Sequence, residues 1–286
     1  RCILARNKER TGARQVHTDP PAPLMQDNSG GFSFVVPTEF IDLPSEGKFY
    51  SEGHPLHGQT TLEIKQMTAK EEDLLTSRAL LKKGIALDRL LSSVIVNKSI
   101  DPNSLLVGDR NAILVATRVS GYGSEYRTKV TCPACGANQE YSFDLNSANI
   151  YNGDEITPEE ATRNEDGTYT TTLPRTKVEV TFRLMTGTDE RVLLKQVENA
   201  RKKRQSENSI TRQLKQIVIA VNGDTTQQSI NYAVENMPSM DARHLRLAYK
   251  LATPNIDLTQ TFECNECDYD QEMEVPLTAD FFWPDR

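Results

Sequence analysis

Long apolar runs are missing from this chain. Hydrophobic residues make up 37% of 286 residues, and no stretch approaches the roughly 20 apolar residues that span a bilayer. We therefore expect a soluble protein and not a membrane one. Histidine is scarce at four, and no P-loop, GxGxxG, HExxH or GxSxG occurs in a setting that would make it functional. Those absences argue against an enzyme, so no catalytic residue, no organic cofactor and no small-molecule substrate is expected. A basic surplus is missing too: the formal net charge is −7 and the pI near 5.3, which disfavours electrostatic capture of a polyanion. Tryptophan occurs once, at position 283, and cysteine only five times.

Four of those five cysteines form two identical pairs, Cys132-Pro-Ala-Cys135 and Cys264-Asn-Glu-Cys267. Two CxxC knuckles supply the four thiolates of a tetrahedral Zn²⁺ site, and a closed Cys₄ shell holds structure rather than doing chemistry. Strand-type residues flank each pair, as in a zinc ribbon, so Cys132, Cys135, Cys264 and Cys267 are the candidate ligands of a structural zinc. The segment between Cys135 and Cys264 is far longer than the spacer of a compact ribbon. A disulfide, or two unrelated reduced pairs, stays open as an alternative. With no secretion signal and cysteines meant to stay reduced, the expected compartment is reducing cytosol.

An internal repeat explains the spacer. Asp109 stands as far ahead of Cys132 as Asp241 stands ahead of Cys264. The same register pairs Ala116 with Ala248, Gln139-Glu140 with Gln271-Glu272, and Leu145 with Leu277. Upstream, after a length change, Leu62-x-Ile64-x-x-Met67-Thr68 faces Val180-x-Phe182-x-x-Met185-Thr186. The fold class read from this is α+β, with two tandem strand-helix-knuckle modules joined by a split four-cysteine zinc ribbon. The layout expected is a disordered extension (1–30), an extended arm (31–58), module 1 (59–145), a connecting hairpin (146–176), module 2 (177–277) and an aromatic tail (278–286). Met25 is the first methionine, which makes residues 1–24 a candidate upstream extension.

Local signals place elements on this frame. Thr68-x-x-Glu71 is a capping box that starts a helix, and leucines from Leu74 to Ile95 keep helical spacing broken near Gly84. Further helices are expected over Asp109 to Val119, Asp189 to Gln205, Ser209 to Val221 and Asp241 to Leu251. Asn164-Glu165-Asp166-Gly167 reads as a hairpin turn. His54 and His57 form an HxxH with no third ligand nearby and read as loop surface, and His244 as a solvated or interface residue. The basic run Arg201 to Arg204 reads as a solvated helix face. Arg127 and Lys129 near the first knuckle oppose Glu263, Glu266, Asp268, Asp270, Glu272 and Glu274 around the second, a contrast expected to help the knuckles associate. Phe281, Phe282 and Trp283 must bury themselves, either on the chain's own core or in a partner as aromatic anchors. The reading leans towards a partner.

One set of motifs resembles a known family: Leu43-Pro44-Ser45-x-Gly47-x-Phe49-Tyr50, Met67-Thr68-Ala69-Lys70-Glu71-Glu72-Asp73, Asp101-Pro102-Asn103, Gly108-Asp109-Arg110-Asn111-Ala112-Ile113-Leu114, Gly121-Tyr122-Gly123 and Cys132-Pro-x-Cys135-Gly136. Together they resemble the baseplate hub subunits of T-even-like contractile-tailed bacteriophages, over roughly residues 30–286. The resemblance implies a protein made in the host cytoplasm that helps build the baseplate hub by binding other hub and tail proteins, and that remains in the virion tail or acts only in assembly. The competing readings are a zinc-ribbon nucleic-acid-binding regulator and, more weakly, a metal-dependent enzyme.

Overall fold

The computed structural model describes residues 35–203, 208–275 and 279–282. The N-terminal extension, Cys2, Arg204, Leu277 and Trp283 lie outside them. The chain opens with strands β1 (Thr38–Asp42) and β2 (Thr61–Lys65), paired antiparallel. The loop between them is pinned by its own side chains: Leu43, Tyr50 and Leu56 are buried in the main core, so residues 38–58 pack as part of the hairpin. Helix α1 (Ala69–Thr76) follows the Thr68/Glu71 capping box, α2 (Arg78–Lys83) ends at Gly84, and α3 (Ala86–Val94) buries Leu90, Leu91 and Val94. Then come α4 (Val107–Tyr122), the hairpin β3 (Glu125–Thr131) with β4 (Asn138–Asp144), and a short strand β5 (Asn149–Tyr151).

The second part opens with a hairpin. Strands β6 (Thr162–Arg163) and β7 (Tyr169–Thr172) flank a turn in which the Gly167 N–H donates to the Asn164 carbonyl. β7 then pairs with β8 (Glu179–Phe182), and β9 (Val218–Val221) completes a four-stranded sheet in the order β6-β7-β8-β9. The hairpin turn expected at Asn164–Gly167 thus joins two strands of this sheet. α5 (Gly187–Lys202) starts at a second capping box, Thr186 with Asp189. The helix expected over Ser209–Val221 stops at Ile217 as α6 (Ser209–Ile217), because the β-branched run beyond it pairs with β8. A helix not anticipated, α7 (Gln227–Asn236), is capped by the Thr226 hydroxyl, which accepts from the Ser229 N–H. α8 (Ser239–Ala252), β10 (Asn255–Asp257), β11 (Thr259–Glu263) and β12 (Asp270–Glu274) complete the chain, with a 3-10 turn over Ala279–Phe282.

Corresponding residues take corresponding places. Glu71 accepts from Lys65 and from the Ser93 hydroxyl while capping α1, and Asp189 accepts from Arg183 and Gln216 while capping α5. Ile95, just after α3, bridges to Ile64 of β2, as Val218, just after α6, pairs with Phe182 of β8. The helices α4 and α8 each bury an aspartate at their third residue, Asp109 and Asp241, both 0% exposed. Asp109 accepts from the Ser45 N–H (3.0 Å), the Ser45 hydroxyl (2.6 Å) and the Tyr50 hydroxyl (2.6 Å). Asp241 accepts from the Arg175 N–H (2.8 Å) and the Thr176 N–H (3.1 Å). Each carboxylate therefore clamps the Leu-Pro turn of a hairpin far upstream in the chain, Leu43-Pro44 or Leu173-Pro174. Among the described residues no helix is long and apolar enough to cross a membrane.

Candidate metal centre

The β3-β4 and β11-β12 hairpins lie side by side, and side chains rather than a shared ladder join them. Gln139 donates its amide to the Glu263 carbonyl and accepts from the Asn265 N–H, both at 2.9 Å. In the other direction, Gln260 of β11 donates to the Asp144 carbonyl (2.9 Å) and accepts from the Asp144 N–H (3.1 Å). The Tyr141 hydroxyl donates to the Thr261 carbonyl, and its ring packs 5.1 Å from that of Phe262. Amide groups that bridge backbone edges leave few polar groups unmade and fix the register of the two hairpins. The opposite charges expected to draw the knuckles together do not meet. Arg127 pairs with Glu125 of its own strand.

At the tips the two turns are built alike. The Cys132 N–H donates to the Ala137 carbonyl and the Gly136 N–H to the Cys132 carbonyl. The Cys264 N–H donates to the Tyr269 carbonyl and the Asp268 N–H to the Cys264 carbonyl. Cys132 and Cys264 are buried, whereas Cys135 and Cys267 are exposed. All four sulfurs lie within 4.8 Å of one another, with Cys132 Sγ 3.8 Å from Cys267 Sγ and Cys135 Sγ 3.7 Å from Cys264 Sγ. These separations exclude a disulfide, which needs about 2.05 Å. They match the edge of a tetrahedron, about 3.8 Å, drawn around an ion with metal–sulfur distances of about 2.3 Å. The four cysteines are free thiols that could together hold a metal ion.

The cluster is already biased towards ionisation at one sulfur. The Cys135 N–H, outweighing burial, brings the Cys132 thiol down to about 7. The Tyr269 N–H acts downward on Cys267, but burial and the thiols of Cys135, Cys264 and Cys132 together outweigh it and push that thiol up to about 12. Four thiolates cannot coexist here without a cation, because each added negative charge raises the cost of the next.

Reciprocal crossings surround this centre. After β4 the chain crosses to the second hairpin's helix, where β5 pairs with β10 and the Tyr151 hydroxyl donates to the Leu251 carbonyl (2.5 Å). After β12 the chain crosses back. The Phe281 ring meets Tyr126 edge-on at 5.2 Å, and the Phe281 carbonyl accepts from Arg118 Nε (2.7 Å). Arg118 is fully buried and donates also to the carbonyls of Gly123 and Glu125. Its charge sits just beyond the C-terminal end of α4, the end that favours a cation. Of the three tail aromatics, Phe281 and Phe282 are thus inside the chain's own core, at 4% and 5% exposure. Both rings dock internally.

The described histidines, three in number, lie elsewhere. His54 stacks on Tyr50 and bonds Ser104, His57 bonds the Tyr50 carbonyl, and His244 bonds Thr171. None joins the cysteines. The sequence reading missed Arg118, Gln139 and Gln260 as determinants of the site, because each bonds a backbone carbonyl from a distant segment, that of Phe281, Glu263 and Asp144 respectively.

The chain matches the family described as T4 bacteriophage base plate protein over residues 37–283, and it belongs to that family. It is therefore a phage tail baseplate protein with a structural role. No curated protein and no solved structure shows significant similarity to it.

Proposed function

We propose that the chain is a structural or assembly component of the baseplate hub, that it works by binding other hub and tail proteins, and that Zn²⁺ held by Cys132, Cys135, Cys264 and Cys267 staples its two halves. The observation that carries the metal is the convergence of four thiols from both ends of a long intervening segment. An all-thiolate tetrahedral set suits zinc and leaves no open position for substrate. The motifs resembling hub subunits fit this role: Leu43, Ser45 and Tyr50 build the turn that Asp109 clamps, so they serve folding rather than catalysis. We further read the two halves as tandem copies of one hairpin-helix-knuckle module. A nucleic-acid-binding regulator fits less well, since Glu263, Glu266, Asp268, Asp270, Glu272 and Glu274 form an exposed acidic rim on the second hairpin.

Elemental analysis tests the metal: purified chain should carry one Zn²⁺, and Cys264→Ser should lose it. Structural zinc contributes about 10–16 kcal/mol of apparent binding energy in small fingers, so the variant should also melt far below wild type. Zinc-free protein from zinc-replete expression would overturn the assignment. For the hub role, affinity capture from infected cells should return tail proteins by mass spectrometry. Recovery of nucleic-acid-processing proteins instead would favour the regulator.

A further inference from the structure

Among the described residues, the outer edge of β1 is left open where its counterpart is closed. Superposing Leu43-Pro44 on Leu173-Pro174 lays β1 over β7 with the same hairpin register, since Glu39 faces Ile64 as Tyr169 faces Phe182. In the second hairpin, β6 covers the far side of β7. Among the described residues, no strand covers the far side of β1. The turn that returns β6 onto β7 uses Gly167 at φ +80°, and the residue at that place before β1 is Pro37. Proline is locked near φ −65° and has no N–H to donate, so the same tight hairpin cannot form ahead of β1.

The groups on offer can be read from the ladder. The Leu43 N–H donates to Thr60 and the Gln66 N–H to the Pro37 carbonyl, so residues 37, 39, 41 and 43 bond inward to β2. By the alternation of antiparallel pairing, Thr38, Phe40 and Asp42 direct their N–H and C=O groups outward. Phe40 is 66% exposed, an unusual side chain to leave on an open edge.

We propose that this edge pairs antiparallel with β1 of a second copy of the chain about a two-fold axis at Phe40. Centred there, all three outward residues find partners: Phe40 faces Phe40 of the second copy, and Thr38 and Asp42 face one another twice. Aromatic meets aromatic, the threonine hydroxyl can donate to the aspartate, and no like charges oppose across these pairs. The interface is self-complementary, as a two-fold contact requires. It makes one sheet, β2-β1-β1-β2, across the two copies.

The test is the oligomeric state of the full chain by sedimentation, at several concentrations. Wild type should populate a dimer, and Phe40→Pro should shift it to monomer, because it deletes an outward N–H and an aromatic contact while sparing the inward ladder. Its far-UV spectrum should match wild type. Independently, in a Cys2→Ser background, Phe40→Cys should form a disulfide dimer on mild oxidation, since facing Cα atoms in a hydrogen-bonded pair sit about 5.5 Å apart. Thr38→Cys should not, because it faces position 42. A wild type monomeric at every concentration would overturn the proposal, as would a dimer that survives Phe40→Pro or an equal cross-link at both positions.

Discussion

Asp109 and Asp241 sit at the same place in two helices, at the same distance in sequence from the first cysteine of their pairs, and each clamps a Leu-Pro turn. Their carboxyls are nevertheless pushed in opposite directions. Asp109 meets two hydroxyls and one backbone N–H, too little to offset burial, which pushes its carboxyl up. At Asp241 burial also acts upward, but the Arg175 N–H together with the hydroxyl and N–H of Thr176 outweigh it and hold the carboxyl below its usual range. The capping carboxylates show no such divergence: Glu71 and Asp189 both stand at about 2, with burial outweighed by a basic residue from the preceding strand and by further hydrogen bonds. One placement can therefore hold two electrostatic solutions. Backbone position is shared between the halves, and ionisation is decided by which donors each turn supplies.

The crossings give the sharpest way to break the comparison. Phe281, in the segment that crosses back after β12, is buried against Tyr126 and Phe282. Its counterpart segment after β4 offers Ile150, 43% exposed, and relies on strand pairing with β10. Phe281→Ala should cost about 3–5 kcal/mol, seen as a fall in Tm of roughly 6–20 °C for a chain of this size. Ile150→Ala should cost less than about 1 kcal/mol, in keeping with its exposure. Equal losses would mean that the two crossings hold the halves in the same way. An unchanged Tm for Phe281→Ala would mean that those rings serve a partner.

The two buried aspartates give the next effect. Asp241 has its folded pKa below the unfolded value of about 3.9, so its contribution is full above about pH 5 and is lost as pH falls through that range. Asp109 has the opposite sign: its folded pKa is raised, so stability is greatest in acid and is lost as pH rises through the unfolded value towards the folded one. At pH 7, Asp241→Asn should cost about 1.5–3 kcal/mol, the range for hydrogen bonds to a charged group, and Asp109→Asn distinctly less. Urea midpoints taken from pH 7 to 4 should show the gap narrowing. Glu71 and Asp189 titrate in the same direction and do not create it. A gap independent of pH would mean that the two clamps carry the same charge.

Much of this was legible in the sequence wherever the signal is local. The cysteine pairs, the Thr68/Glu71 capping box, the break at Gly84 and the Asn164–Gly167 turn all depend on residues within a few positions of one another. The register linking Asp109 and Asp241 to their cysteines was also visible, being free of gaps. The correspondence of Leu43-Pro44 with Leu173-Pro174 was not, because the loop from Leu43 to Thr60 is far longer than that from Leu173 to Val178, and two identities do not survive such a gap. Strand β9 was hidden behind a helical run, since its pairing with β8 is tertiary. Arg118 reads as an ordinary helix cation. Only the return of Phe281, distant in sequence, makes it a buried hub of three carbonyls.

The smallest expected effect lies within the knuckles themselves. Gly136 and Asp268 occupy the same step of the two turns, each donating its N–H to the carbonyl of the first cysteine, and both sit in the left-handed region, at φ +74° and +53°. Glycine adopts that conformation without penalty, whereas an L side chain pays roughly 1 kcal/mol, somewhat less for aspartate. Asp268→Gly should therefore gain about 0.5 kcal/mol, partly offset by the greater freedom that glycine has in the unfolded chain. Gly136→Asp should lose a similar amount, and both variants should keep the metal stoichiometry of wild type. Calorimetric melts of the metal-loaded proteins resolve shifts of this size. If Asp268→Gly instead lowers the Tm, the aspartate side chain must support the second turn in a way the first turn lacks, and the knuckles would differ in their chemistry as the buried aspartates do.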